Sequence, residues 1–179
     1  MTNAYLIAGF GGQGLLFAGK FLVNKGMLEG KEVSWLPSYG PEMRGGTANC
    51  SVIVSDEPVG SPIVDHPSVL MVMNLPSLDK YEKAVVPGGI IAVDSTLISR
   101  KVERTDVKTV YVPATQMASD SGLSGLANMI LVGKLMRELG EFDEASVARA
   151  LQKVVSAKHP EMYDLNLKAL RMGRDFEEL

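Results

Sequence analysis

The 179-residue sequence contains one cysteine and two histidines, and this scarcity excludes several chemistries. Cys50 alone forms no disulfide within the chain. It completes no cysteine zinc site and cannot supply the four thiolates of an iron–sulfur cluster. His66 and His159 each stand directly before a proline. Neither has a second histidine or a carboxylate at metal-ligand spacing, so neither reads as a metal ligand or as a partnered general base. Basic charge is not in excess either. Eighteen Lys and Arg against 21 Asp and Glu leave a net charge of −3, which offers no global attraction to nucleic acid or to an anionic membrane surface. No apolar run approaches the ~20 residues of a membrane span. Met1-Thr2-Asn3 is not the basic start of a secretory signal. A cytoplasmic protein without nucleic-acid or membrane partners is expected.

Glycine is what the chain has in quantity, and it is concentrated. Gly9-Phe10-Gly11-Gly12-Gln13-Gly14 joins an apolar run, Tyr5 to Ala8, to a helical pattern that begins near Leu15. Glycines permit φ > 0 and close approach of another group to the backbone. A glycine turn that opens a helix also presents free N–H groups at the positive end of the helix dipole. The stretch spells G-x-G-x-x-G, but dinucleotide binding also needs an acidic residue at the end of the second strand. That strand ends at Leu36-Pro37-Ser38, and Glu29 and Glu32 precede its end. The Gly-Lys-Ser/Thr ending of a phosphate-binding P-loop is absent as well. Two readings stay open. The glycines make a tight strand-to-helix turn and nothing more, or they bring backbone and the Gln13 amide against a ligand or partner.

The rest of the chain alternates strands and helices. Strands are expected at 4–9, 32–37, 47–55, 69–73, 90–93 and 106–112. Helices are expected at 14–29, from Ser77 to about Ala84, at 124–139, after Asp143, and from Pro160 to the C-terminus. In the first helix Leu15, Ala18, Gly19, Leu22, Val23 and Gly26 recur at helical spacing, with Gly30 as its stop. In the third strand Ala48, Cys50, Val52 and Val54 alternate with more polar positions, the mark of an antiparallel member or an edge with one face less buried. Cys50 there reads as a buried, inert thiol. Val69 to Met73 is continuously apolar, as a strand covered on both faces would be. The pattern predicts an α/β fold: a doubly wound, Rossmann-like, mostly parallel sheet with helices on both faces and room for one antiparallel strand. With no repeat, low-complexity tract or linker, residues 1–179 read as a single domain. The ten methionines fall mainly at apolar positions and read as core filling.

A second glycine-rich stretch, Tyr39-Gly40-Pro41-Glu42-Met43-Arg44-Gly45-Gly46, leaves the C-terminal end of the second strand. It is placed beside the end of the first strand, at the edge where open α/β sheets bind ligands. Arg44 could take a carboxylate or phosphate bidentately, or pair with Glu42 at the surface to little energetic effect.

The two glycine stretches together resemble the gamma subunit of 2-oxoacid:ferredoxin oxidoreductases. The likeness runs through Pro87-Gly88-Gly89 and Ala127-Asn128-Met129 with Gly133 after it, and covers essentially the whole chain. The tyrosine-glycine-proline-glutamate start of the second stretch is similar to the 2-oxoglutarate and branched-chain members. The resemblance implies a place in a complex that decarboxylates a 2-oxoacid, 2-oxoglutarate favoured, to an acyl-CoA and reduces ferredoxin. It implies alpha and beta partner subunits, with a ferredoxin-like delta subunit as a further candidate. Thiamine diphosphate, magnesium and 4Fe–4S clusters would sit on those partners and coenzyme A would be the co-substrate. This chain also lacks the Gly-Asp-Gly signature of thiamine diphosphate sites. No catalytic residue and no cofactor is expected on it. Gly9, Gly11, Gly12, Gln13, Gly14, Tyr39, Gly40, Pro41, Glu42, Arg44, Gly45, Gly46 and Asn128 are expected to face ligand or partner. A free-standing Rossmann-like nucleotide-binding module is the alternative.

Overall fold

The structure, a computed structural model, describes residues 1–38 and 48–178. Six strands form one sheet in the order β2-β3-β1-β4-β5-β6. These are β1 (Thr2–Gly9), β2 (Glu32–Ser38), β3 (Ala48–Ser55), β4 (Val69–Val72), β5 (Ile90–Asp94) and β6 (Lys108–Val112). β1, β4, β5 and β6 run parallel, whereas β3 is antiparallel to both of its neighbours. The helices are α1 (Leu15–Leu28), α2 (Leu75–Tyr81), α3 (Ala114–Asp120), α4 (Ala127–Glu138), α5 (Glu144–Val154) and α6 (Glu161–Asp175). The α/β class and the antiparallel strand agree with expectation.

Alternation of side chains along the strands divides the core into two. Tyr5, Ile7, Met71, Ala92 and Val110 point to one face, with Phe21 of α1 and Ile130 and Leu131 of α4. Leu6, Leu70, Val72, Ile91 and Val93 point to the other, where Leu78, Val85 and Ile98 cover them. The first face is thick, because α6 packs outside α4. Every residue of α4 from Ala127 to Met136 is buried, as befits a helix apolar nearly all round and covered on both sides. Gly133 and Gly173 allow the approach: a Cβ on Gly133 would lie 2.0 Å from the Leu170 carbonyl oxygen, and one on Gly173 1.8 Å from that of Ile130. α1 lies on β3 and β2 in the same manner. A Cβ on Gly19 would meet Cys50 Sγ at 2.8 Å and Trp35 Nε1 at 2.9 Å, and one on Gly26 would meet Val33 and Val54.

Four expectations change. β3 intervenes between β1 and β2, so the end of the second strand is not beside the end of the first. As an interior strand, β3 is screened on both sides, and Ser51 and Ser55 are buried along with its apolar residues. α2 is capped by Asn74, whose Oδ1 accepts from the Ser77 N–H at 2.9 Å; Ser77 is the donor, not the cap. The helix expected from Ser124 begins at Ala127, and the preceding α3 went unread. Among the described residues no helix is long and apolar enough to cross a membrane.

Candidate functional site

β1 and β4 are parallel neighbours whose chain connections depart in opposite directions across the sheet, which makes the crevice at their C-terminal ends the topological switch point. The first glycine stretch occupies it. Gly12 (φ 88°) and Gly14 (φ 73°) adopt the left-handed conformation that glycine alone takes without strain. The Gln13 N–H closes the turn on the Phe10 carbonyl at 3.4 Å. Gly14 then opens α1 with no side-chain cap and no acidic residue in the first turn. The leading N–H groups of α1 therefore have no partner within the helix.

The Gln13 amide is spent inside the protein. Its Oε1 accepts from the Phe10 N–H at 2.6 Å, and its Nε2 donates to the Met73 carbonyl at 3.0 Å. One side chain thus ties the turn after β1 to the residue that follows β4. Gly9 makes room for it, since a Cβ there would lie 2.3 Å from Gln13 Oε1. Asn128 is buried, and its Nδ2 donates to the Gly14 carbonyl at 2.8 Å, joining the first turn of α4 to the start of α1. Its Oδ1 has no hydrogen-bond partner among the described residues.

Two clefts flank this turn. The first, about 320 Å³, is lined by Phe10, Gly11, Gly12, Gly14, Leu15, Leu16, Phe17, Ser38, Ala48 and Asn49. The second, about 360 Å³, is lined by Gly12, Gln13, Met73, Leu97, Thr115, Ala118, Ser119, Ser124, Gly125 and Ala127. Among the described residues no charged side chain lines either one. Tyr39, Gly40, Pro41, Glu42, Arg44, Gly45 and Gly46 lie outside the described residues, but Ser38 and Ala48, which flank them in sequence, both line the first cleft. Across β3, Ser38 and Ala8 are both level with Asn49. The ends of β2 and β1 therefore share one edge of the sheet.

Asp94, at the end of β5, is fully buried and anchors the same edge. It accepts from the Thr115 hydroxyl at 2.6 Å and from the Thr96 N–H at 3.1 Å, which fixes the start of α3. Thr115, Ser119 and Ser124 were not singled out in the sequence; the rule that ligands gather beyond strand C-termini would have pointed to them. Cys50, next in β3 after Asn49 of the first cleft, is buried. Burial pushes its thiol up to about 12, and its Sγ donates to the Leu15 carbonyl at 3.4 Å. A neutral thiol of this kind is neither a nucleophile nor a metal ligand at ordinary pH. Among the described residues no group of three or more His, Cys, Asp or Glu could hold a metal ion. Apart from the buried Asp94, the described residues of the edge offer backbone N–H groups, amides and hydroxyls, all without formal charge. These are groups for binding and packing. A dinucleotide is also ill served, because the strand next to β1 on the α1 side is the antiparallel β3.

Comparison with known proteins follows this architecture. Residues 4–176 match the family described as pyruvate ferredoxin/flavodoxin oxidoreductase. Ketoisovalerate oxidoreductase subunit VorA of Methanothermobacter thermautotrophicus is 42% identical over 171 residues, covering 95% of this chain and 35% of the relative. The chain thus spans about a third of the length of that relative. 2-Oxoglutarate synthase subunit KorC of Methanocaldococcus jannaschii is 36% identical, over 84% of this chain and 82% of the relative. The crystal structure of a keto/oxoacid ferredoxin oxidoreductase gamma subunit from Geobacter sulfurreducens superimposes with a TM-score of 0.80 at 27% identity, covering 96% of this chain and 95% of that one. Matched from residue 4 to residue 176, the chain belongs to the pyruvate ferredoxin/flavodoxin oxidoreductase family.

Proposed function

We propose that this chain is the gamma-type subunit of a complex that oxidatively decarboxylates a 2-oxoacid, forms an acyl-CoA and reduces ferredoxin. The observation that carries this is the likeness, along most of both chains, to a 2-oxoglutarate synthase subunit. Within the complex this chain shapes one wall of the cleft. The edge built by Gly9, Gly11, Gly12, Gln13 and Gly14 faces a partner subunit and its bound coenzyme A or substrate. The lining among its described residues is uncharged, which favours that use over a free-standing nucleotide site. Arg44, in the stretch that also holds Tyr39, Gly40, Pro41, Glu42, Gly45 and Gly46, takes a carboxylate or phosphate of that ligand. Asn128 supports the edge through Gly14.

Thiamine diphosphate, magnesium and the 4Fe–4S clusters belong to alpha, beta and ferredoxin-like delta partners. The donor set here does not fit a cluster: one thiol, buried and held neutral, stands against a need for four thiolates. Residues 1–179 act as one domain of this cytoplasmic assembly. The favoured substrate is 2-oxoglutarate, because the KorC relatives match over most of their own length. A branched-chain 2-oxoacid is the second reading, favoured by the higher identity to the ketoisovalerate subunits.

The assembled complex tests both parts. With 2-oxoglutarate and ketoisovalerate compared as substrates, the larger kcat/KM names the substrate class. Arg44→Ala should raise the Michaelis constant for coenzyme A or for the 2-oxoacid. Unchanged constants for both would remove Arg44 from the site. The isolated chain should show no saturable binding of NAD, FAD or ATP; tight binding of any of them would favour the nucleotide-module alternative.

A further inference from the structure

A buried ammonium with hydrogen-bonding capacity to spare lies at the other end of α1 from the glycine turn. Lys25, near the C-terminal end of α1, is 4% exposed. Its Nζ carries three donors, yet among the described residues it makes one hydrogen bond, to Glu29 Oε1 at 2.6 Å. Burial of an ammonium is costly unless its donors are met. Lys25 lines a cleft of about 370 Å³ between the end of α1, the start of β1 and the connection from α4 to α5. Glu141 is fixed in the same cleft. Its Oε1 accepts from Asn3 Nδ2 at 2.6 Å and its Oε2 from the Tyr5 hydroxyl at 3.0 Å. These two bonds leave about half of the carboxylate's four lone-pair positions free. Burial, and then the Glu141 charge, push the Tyr5 hydroxyl well above the ordinary tyrosine value, so it stays a neutral donor. Asp143 and Glu29 also line the cleft, and Leu22, Val54, Leu139 and Phe142 give it an apolar wall. Lys31 at its rim is paired with Asp56.

The charges select the ligand. A simple anion would meet the Lys25 donors but would also face the carboxylates of Glu29, Glu141 and Asp143. A simple cation would suit those carboxylates and leave the Lys25 donors unmet. A small zwitterion with an apolar body satisfies every part of the lining. We propose that this cleft binds an aliphatic α-amino acid. Its carboxylate takes the free donors of Lys25, its ammonium lies against Glu141 and Asp143, and its side chain packs on Leu22, Val54 and Leu139. The volume stands at the low end of the range for small-molecule sites and suits a ligand of this size. Bound there, the amino acid ties the connection before α5 to the end of α1. The site is about 20 Å from the glycine turn, the length of α1. It does not depend on the role proposed for that turn.

The test titrates L-leucine into the full chain, followed by calorimetry and by thermal unfolding. Binding should be saturable, and the unfolding temperature should rise with leucine concentration. Isocaproate lacks the ammonium and isoamylamine lacks the carboxylate, so each should bind at least tenfold more weakly. Lys25→Met should weaken leucine binding at least tenfold. Lys20→Met makes the same change at an exposed position of α1 and should leave binding as it is. Urea midpoints establish that both variants fold. Absence of saturable leucine binding by the parent chain would mean that water alone fills the cleft, and would overturn the proposal. Either analogue binding as tightly as leucine would overturn the amino-acid class. Leucine binding that survives Lys25→Met undiminished would overturn the site. The analogue comparison needs only the parent chain, so it decides the matter even where Lys25→Met does not fold.

Discussion

The Gln13 side chain bridges Phe10 and Met73, so the turn after β1 is fastened to the end of β4 across 60 residues of sequence. Gln13→Ala should destabilise the protein by about 1–3 kcal/mol, the range for two hydrogen bonds lost from a partly buried site. Gln13→Glu keeps the acceptor for the Phe10 N–H but sets a carboxylate oxygen against the Met73 carbonyl, and should cost at least as much at neutral pH. Urea denaturation at pH 7 measures both.

Gly12 and Gly14 separate conformational strain from steric strain. Both have φ > 0, but a Cβ on Gly12 meets nothing within 4 Å, whereas one on Gly14 would lie 2.5 Å from the buried Asn128 Nδ2. Gly12→Ala should cost about 1–2 kcal/mol, the left-handed penalty alone. Gly14→Ala should cost more, because Asn128 must also move and give up its bond to the Gly14 carbonyl. Pairing Gly14→Ala with Asn128→Ala in a double-mutant cycle should recover part of the excess.

The α4–α6 contact allows no such relief. Alanine at Gly173 or Gly133 would drive a Cβ into the backbone oxygen of Ile130 or Leu170. Each substitution should destabilise by more than about 3 kcal/mol, beyond the ordinary range for overpacking. Thermal unfolding should show α6 leaving its place, with loss of helical signal before the main transition.

Glu82 ties acid sensitivity to one buried contact. Burial acts to raise its carboxyl. The Arg100 guanidinium at 2.7 Å and the N–H groups of Glu103 and Arg104 outweigh that and hold it below the usual carboxylate range. A pKa depressed on folding adds stability at neutral pH that is lost as pH falls from about 4.3 through the folded value. Glu82→Gln should therefore be less stable than the parent at pH 7, and the gap should narrow as pH falls from 5 to 3. Denaturation midpoints across that range provide the check.

Sequence periodicity shows which face a residue takes, and it was a good guide wherever structure is local. The glycine turn between β1 and α1, the stop at Gly30, the helix after Asp143 and the antiparallel character of β3 were all legible. It says nothing of lateral neighbours. That β3 enters between β1 and β2 depends on pairings far apart in the chain, such as Thr2 with Ser55. α3 escaped because only Ala114 and Ala118 are buried on its seven residues, too few to mark a period. At the candidate site the glycines were evident, but the internal use of Gln13 was not. Its partner, the Met73 carbonyl, is a backbone atom and carries no side-chain signal.

The intervening β3 also bears on the order in which the chain can fold. In an ordinary β-α-β unit the helix docks as soon as the second strand is complete. Here Gly19 and Gly26 of α1 seat on Cys50, Val54, Trp35 and Val33, side chains of β3 and β2. The bed for α1 is not complete until the chain has been synthesised through residue 55. Until then Leu15, Phe21 and Leu22 have only part of the surface on which they bury. The first third of the protein should consolidate as one late, non-local step, and not strand by strand from the N-terminus.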